Sequence, residues 1–163
     1  MKKILMSAVI ALGAANPVLA QEVANSQAGP NWLVNCTNQD SPDQLACAMS
    51  QSAIVVATGA RVLTAIFEPA GADDYMMSLI LPFGLDLTAG VALAADGQDW
   101  KTVPVNTCDA EACYARVTLQ ANELDLLTAG ATFEISLLNV QSQTVDVALT
   151  LYGFSGALAM LKH

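Results

Sequence analysis

The chain contains one histidine, and it is the last residue, His163. Chain ends fray unless something ties them down, so a general base or metal ligand placed there has nothing to hold it in position. Ser-His-Asp and Cys-His chemistry therefore lack their usual base. Basic residues are scarce as well: six Lys and Arg stand against fifteen Asp and Glu, a formal charge of −9. Nucleic acid and anionic lipid both select basic patches, and this composition argues against either as a partner. No G-x-S-x-G elbow, P-loop, H-E-x-x-H pair or dinucleotide fingerprint occurs. There is no low-complexity tract and no internal repeat at a period of roughly 20–50 residues.

Long apolar runs are also missing. The longest, Ile4 to Ala15, is broken by Ser7 and Gly13 and falls short of the roughly 18–20 residues that a membrane-spanning helix needs. Its setting explains it. Lys2 and Lys3 precede it, and Asn16-Pro17 and the small-residue site Val18-Leu19-Ala20 follow, before Gln21. This is the order of a cleavable secretory signal peptide, so residues 1–20 are expected to be removed and the protein to be periplasmic or secreted. No Cys follows the cleavage site to carry a lipid, and no later stretch forms a transmembrane span. The remaining chain is enough for one domain and too short for two of ordinary size. It keeps Arg61, Lys101, Arg116 and Lys162 against all fifteen acids, a formal charge of −11. Such acidity ordinarily serves solubility; a surface complementary to something cationic is the other use. With 54% hydrophobic residues the chain can bury a core, which excludes disorder.

Cys36, Cys47, Cys108 and Cys113 all lie beyond the signal. An even count in an exported chain reads as two disulfides. Of the three possible connectivities, Cys36–Cys47 with Cys108–Cys113 is expected, because each pair closes a short loop within reach of a turn. Ten and four intervening residues do not match paired C-x2-C zinc knuckles, and no C-x-x-C redox motif occurs.

The dominant period is two. Residues 21–30 are polar and small and read as a flexible leader. Trp32, Val34 and Cys36 share a face, as do Leu45, Cys47 and Met49. Residues 53–67 are rich in β-branched side chains and predict two strands with a break near Thr58-Gly59, and 75–81 is a further run ended by Pro82. In 113–120, 132–138 and 144–151, apolar and polar residues alternate strictly, the mark of strands with one buried and one wet face. Turn residues fall between, at Pro82-Phe83-Gly84, Asp96-Gly97 and 139–143. Short helices fit at 121–128 and 155–161, although the latter could also continue a strand. Many short strands without alternating long helices predict an all-β fold. We expect a single domain over 31–163: a disulfide-stapled antiparallel β-sandwich, or a barrel-like variant, with one or two short helices.

Carboxylates cluster at Asp73-Asp74, Asp96 with Asp99, and Asp109 with Glu111. A glycosidase-like pair needs two carboxyls held about 5–10 Å apart in a cleft; these sit among turn residues, where Asp is favoured for local hydrogen bonding. None has the spacing of a calcium loop. Trp32 and Trp100 could line a sugar site or sit in the core. No catalytic residue, metal ligand or cofactor is assigned.

Taken in order, the motifs resemble the invasion-associated locus B family of alphaproteobacteria. They begin with Trp32-x-Val34-x-Cys36 and Cys47-x-Met49-x-Gln51, then Leu81-Pro82-Phe83-Gly84-Leu85 with Gly90-Val91, then Val103-Pro104-Val105. Cys108-x4-Cys113 followed by Ala115, the Leu124 to Gly130 segment, and Leu151-Tyr152-Gly153-Phe154 with Ala157-Leu158 complete the series. Ala112 departs from the pattern, standing where the family places Gly. The resemblance implies a small exported, disulfide-bonded, β-rich envelope protein, with a link to host-cell invasion. It singles out Trp32, Pro82, Gly84, Gly153 and Phe154 as structural motif residues. The function expected is non-enzymatic binding of an envelope or host protein. The alternatives are a small-ligand or lipid carrier with a cavity between the sheets, or a carboxylate-pair hydrolase acting on envelope glycans.

Overall fold

The computed structural model describes residues 23–25, 32–38 and 45–161. The segment read as a signal peptide, most of the leader and His163 lie outside the described residues. Two antiparallel sheets form the molecule. The first holds β1 (Val23–Asn25), β2 (Leu33–Thr37), β3 (Ala46–Val55), β4 (Arg61–Pro69), β5 (Tyr75–Leu81), β8 (Thr107–Cys108) and β9 (Cys113–Leu119). Its order is β1-β3-β4-β5-β9-β8, with β2 lying beside β1 along the same edge of β3. The second holds β6 (Val91–Ala95), β7 (Gln98–Val103), β10 (Thr132–Leu138) and β11 (Thr144–Thr150), in the order β11-β10-β6-β7. Helices α1 (Ala121–Ala129) and α2 (Phe154–Ala159) are both short. β11 runs beside β1 and β3, and β7 beside β9, so the sheets meet at both margins of the sandwich.

Alternation sets which residues face inward. Leu63, Ala65 and Phe67 of β4 are buried, as are Met77, Leu79 and Leu81 of β5, and opposite them Phe133, Ile135 and Leu137 of β10. Each large apolar side chain removed from water in this way contributes about 1.5–3 kcal/mol. At one end of the core three rings meet edge to face. Trp32 lies 5.5 Å from Phe67 and 5.0 Å from Phe154, and Phe67 lies 5.1 Å from Phe154. The indole Nε1 of Trp32 also donates to the carbonyl of Thr150 at 2.9 Å. One side chain thus joins the first sheet, the end of β11 and α2.

The two-strand reading of 53–67 meets its break at the turn where Gly59 takes a φ of 69°. The run at 45–51 and the start of that stretch form one ten-residue strand, β3, which begins at Ala46 and leaves Leu45 exposed. Val23–Asn25 forms β1 within the stretch read as a leader; three residues are too few for alternation to register. The β6–β7 hairpin shows in the sequence only as its Asp96-Gly97 turn. Ala92, Ala94 and Ala95 weaken the β pattern of β6, and in β7 a bulge makes Trp100 an extra residue between Lys101, opposite Leu93, and Asp99, opposite Ala94. The extra residue breaks the period of two.

One inward residue of β3 is polar. Gln51 is 4% exposed, and neither its amide nitrogen nor its oxygen has a partner among the described residues. An unmet buried amide costs about 1–3 kcal/mol. Gln51→Leu is therefore expected to raise the urea midpoint, corresponding to about 1–2 kcal/mol of added stability. An unchanged or lowered midpoint would show that the amide is satisfied in solution.

Candidate functional site

Both cysteine pairs are bonded, Cys36–Cys47 and Cys108–Cys113. In each the two residues face one another directly across adjacent strands, with Cα atoms 4.0 Å apart. One bond ties β2 to β3 and the other ties β8 to β9, so they sit at opposite edges of the seven-stranded sheet. Converting Cys108 and Cys113 together to serine should lower stability by about 2–3 kcal/mol and preferentially speed amide exchange in β8; uniform exchange would overturn the edge-staple role.

The other motif residues also build framework. Leu81 ends β5 in the core, Pro82 follows, and Gly84 takes a φ of 85°. The carbonyl of Gly84 accepts from the N–H of Val140 at 2.9 Å, and the N–H of Asp86 donates to Leu138 at 2.8 Å. The segment after β5 is thereby bonded to the β10–β11 turn. Gly90, at φ 72°, has no room for a side chain: a Cβ there would lie 2.9 Å from the Val103 carbonyl oxygen. Gly153, at φ 82°, caps α2 and starts the turn that delivers Phe154 into the ring cluster. Ala112 keeps a negative φ and the turn stays closed. Its N–H donates to Asp109 at 2.9 Å, and its carbonyl accepts from the Asp109 N–H at 2.9 Å.

In two of the three carboxylate clusters one member is engaged with backbone. Asp96 accepts from the N–H groups of Ala131 and Thr132, joining the β6–β7 turn to the start of β10. Asp109 accepts from Glu111 and Ala112, and those bonds, with a further one from the Tyr114 hydroxyl, hold its carboxyl below the usual range. Asp86 is held low chiefly by the hydroxyl and N–H of Thr88. Asp73 and Asp74 are exposed on the β4–β5 turn. Among the described residues no group of three or more His, Cys, Asp and Glu is arranged to hold a metal ion. The two tryptophans do not come together: Trp32 is in the core, and half-buried Trp100 sits on the other sheet with the Lys101 ammonium 5.9 Å from its ring. Phe67, Met77, Leu79, Leu93, Phe133 and Ile135 are fully buried on the inner faces of the two sheets, which weighs against a carrier cavity there.

Lys101 also pairs with Glu123, which accepts the N–H of Gln120 at 3.0 Å in the capping box of α1. Burial opposes charge on Glu123, but the Lys101 ammonium and the Gln120 N–H outweigh it and lower its pKa. A carboxyl lowered by folding contributes stability above its unfolded pKa, and that contribution fades as pH falls through the folded value. Glu123→Gln keeps a side chain able to close the capping box and removes the charge paired with Lys101. It is therefore expected to cost about 0.5–1 kcal/mol at neutral pH, with the difference from the parent shrinking in thermal melts below the ordinary carboxylate range. A difference that stays constant with pH would remove the charge from this account.

What remains for contact with another molecule is the outer face of the seven-stranded sheet. Its side chains form rows across the strands. Ser50, Ile66, Ser78 and Arg116 make one, and Ser52, Thr64, Ile80 and Tyr114 the next, with the Ser52 and Thr64 hydroxyls bonded at 2.7 Å; Thr64 and Ser78, on the central strands, are themselves buried. A third runs Glu68, Met76, Thr118. Only Arg61, Glu68 and Arg116 bring charge to these strands' outer surface, a net +1 in a chain of net −9. The other described carboxylates lie on turns, on α1 and on the four-stranded sheet. Where β4 begins and β5 ends, the face runs into a cleft of about 330 Å³ whose lining includes Arg61, Val62, Ile80, Pro82, Glu111 and Tyr114. The Arg116 guanidinium lies 5.7 Å from the Tyr114 ring beside it. Sequence reading missed this face, because it is assembled by register from hydroxyls and aliphatics that are unremarkable one strand at a time. It also missed Phe67, whose two ring partners come from distant segments.

Residues 32–162 match the model of the invasion associated locus B (IalB) protein family. Two invasion protein B homologs of Brucella abortus, from strain 2308 and from biovar 1 strain 9-941, are each 32% identical over 133 residues. Each alignment covers 81% of this chain and 76% of the relative. The crystal structure of invasion associated protein b from Bartonella henselae superposes with a TM-score of 0.73 at 20% identity, covering 85% of this chain and 94% of that one. That likeness establishes the shared fold.

Proposed function

Because the chain belongs to the invasion associated locus B family, we propose that it is an exported, non-enzymatic protein of the cell envelope. In this reading it acts by binding an envelope or host protein through the outer face of the seven-stranded sheet. The observation that carries the reading is the charge of that face. Interfaces are depleted of charge at their centre and favour Tyr, Met and Arg, and in this strongly acidic chain the face is nearly neutral and presents Tyr114, Met76 and Arg116. Export is supported by the order of charge, apolar run and small residues in 1–20, and by two disulfides, which persist in oxidising compartments. No described helix is long and apolar enough to cross a membrane. The relatives' name, invasion protein, supports a partner on the host side. The engagement of Asp86, Asp96, Asp109 and Glu123 with backbone supports a framework role for the carboxylates over acid–base work.

A photo-reactive residue at Thr118, exposed on the outer face of β9, with a control at the equally exposed Ala148 on the four-stranded sheet, tests this in intact cells. The expected result is a discrete cross-linked envelope or host protein from position 118, abolished by Ile66→Asp and absent from position 148. Equal cross-linking from both positions would sink the surface assignment. Hydrolysis of an envelope glycan that disappears on changing one carboxylate would overturn the non-enzymatic reading.

A further inference from the structure

The same face identifies one partner by its chemistry. We infer that it docks against the same face of a second copy, forming a weak twofold dimer; this rests on the surface proposed above. The first support is electrostatic. With its signal removed, each copy carries −11, so two copies repel wherever their acidic surfaces approach. The outer face of β3, β4, β5 and β9 is where that acidity is missing. The second support is how its charges are disposed. Glu68 is on β4, in the row with Met76; Arg116 is on β9, one row along, opposite Ser78. Both are exposed, and among the described residues neither forms an ion pair. In a twofold contact, residue i of one copy meets residue j of the other and the reverse holds as well. A twofold axis in the plane of the contact, crossing β5 between Met76 and Ser78 at right angles to the Glu68–Arg116 diagonal, brings each copy's Glu68 to the other's Arg116, satisfying both charges at once. Ile66 and Ile80 then lie in the neutral centre.

The third support is size. Five strands (β2 with β3, β4, β5 and β9) at about 4.8 Å spacing, each contributing about six residues of 3.4 Å rise, give a face of about 500 Å² per copy and about 1,000 Å² in the pair. That is the range of transient complexes, and it predicts an association that does not prevent exchange for another protein at the same surface.

Sedimentation analysis of the disulfide-bonded chain 21–163 tests the inference. The expected result is a monomer–dimer equilibrium with a dissociation constant on the order of tens of micromolar. It should tighten several-fold as salt rises, since screening reduces the repulsion of two −11 bodies more than it weakens two short ion pairs. Glu68→Arg alone and Arg116→Glu alone should each weaken the dimer at least about tenfold, and the double exchange should restore it to within about threefold. Circular dichroism of each variant, expected to match the parent because both residues are exposed, separates lost association from lost fold. A chain that stays monomeric at high concentration and high salt overturns the dimer. Single exchanges without effect, or a double exchange that fails to restore association, overturn the pairing. If the chain is monomeric while position 118 still captures an envelope or host protein, this inference fails and the proposed function stands. If it dimerises as described while position 118 captures only a second copy of itself, the dimer stands and the proposed function fails.

Discussion

The contact of Trp32 with Phe67 and Phe154 is the point on which the other parts of the molecule converge. Each ring belongs to a different segment: the approach to β2, the body of β4 and the first turn of α2. Edge-to-face pairs at these separations contribute about 0.5–1.5 kcal/mol beyond the area they bury. The larger effect is topological. The indole bond to the Thr150 carbonyl anchors the end of the four-stranded sheet to the start of the seven-stranded one, and among the described residues no strand ladder joins the two sheets. Gly153 has to adopt a left-handed φ so that Phe154 can turn back into this cluster, which gives the terminal Gly-Phe dipeptide a physical reason.

Around that anchor a division of labour follows from charge. Of the carboxylates that look like reactive pairs in the sequence, Asp96 and Asp109 are spent on backbone N–H groups in tight turns; Glu123, outside those pairs, is spent at the start of α1. The acidity left on turns, α1 and the smaller sheet keeps those surfaces hydrated, and the larger sheet is left nearly neutral on its outer side. A neutral surface on a strongly charged body is where close approach of another acidic molecule costs least.

Much of the fold is legible in one dimension. Strict alternation in 113–120, 132–138 and 144–151 marks three strands and their buried sides, and even cysteine count with short spacing indicates the two staples. Asp96-Gly97 marks its turn because both residues need positive φ, as they have at 50° and 76°. The strands beside that turn are not legible, because alanines dilute the pattern on one side and the Trp100 bulge shifts it on the other. The outer face is hidden for a different reason. Ser50, Ile66, Ser78 and Arg116 are far apart in the chain and become neighbours only through the register of four strands, which no local pattern encodes. Gln51 is the converse case: alternation puts it on the inner face, where its amide meets no partner among the described residues.

Each disulfide joins cysteines that follow one another in the sequence, Cys36 to Cys47 and Cys108 to Cys113. For a chain threaded through a membrane N-terminus first, this order matters. When the first two thiols have emerged, the only partner available to either is the correct one, and their bond can close before the third appears. An oxidant that acts in order of emergence therefore makes native links from the outset and leaves no wrong pairing to be reshuffled.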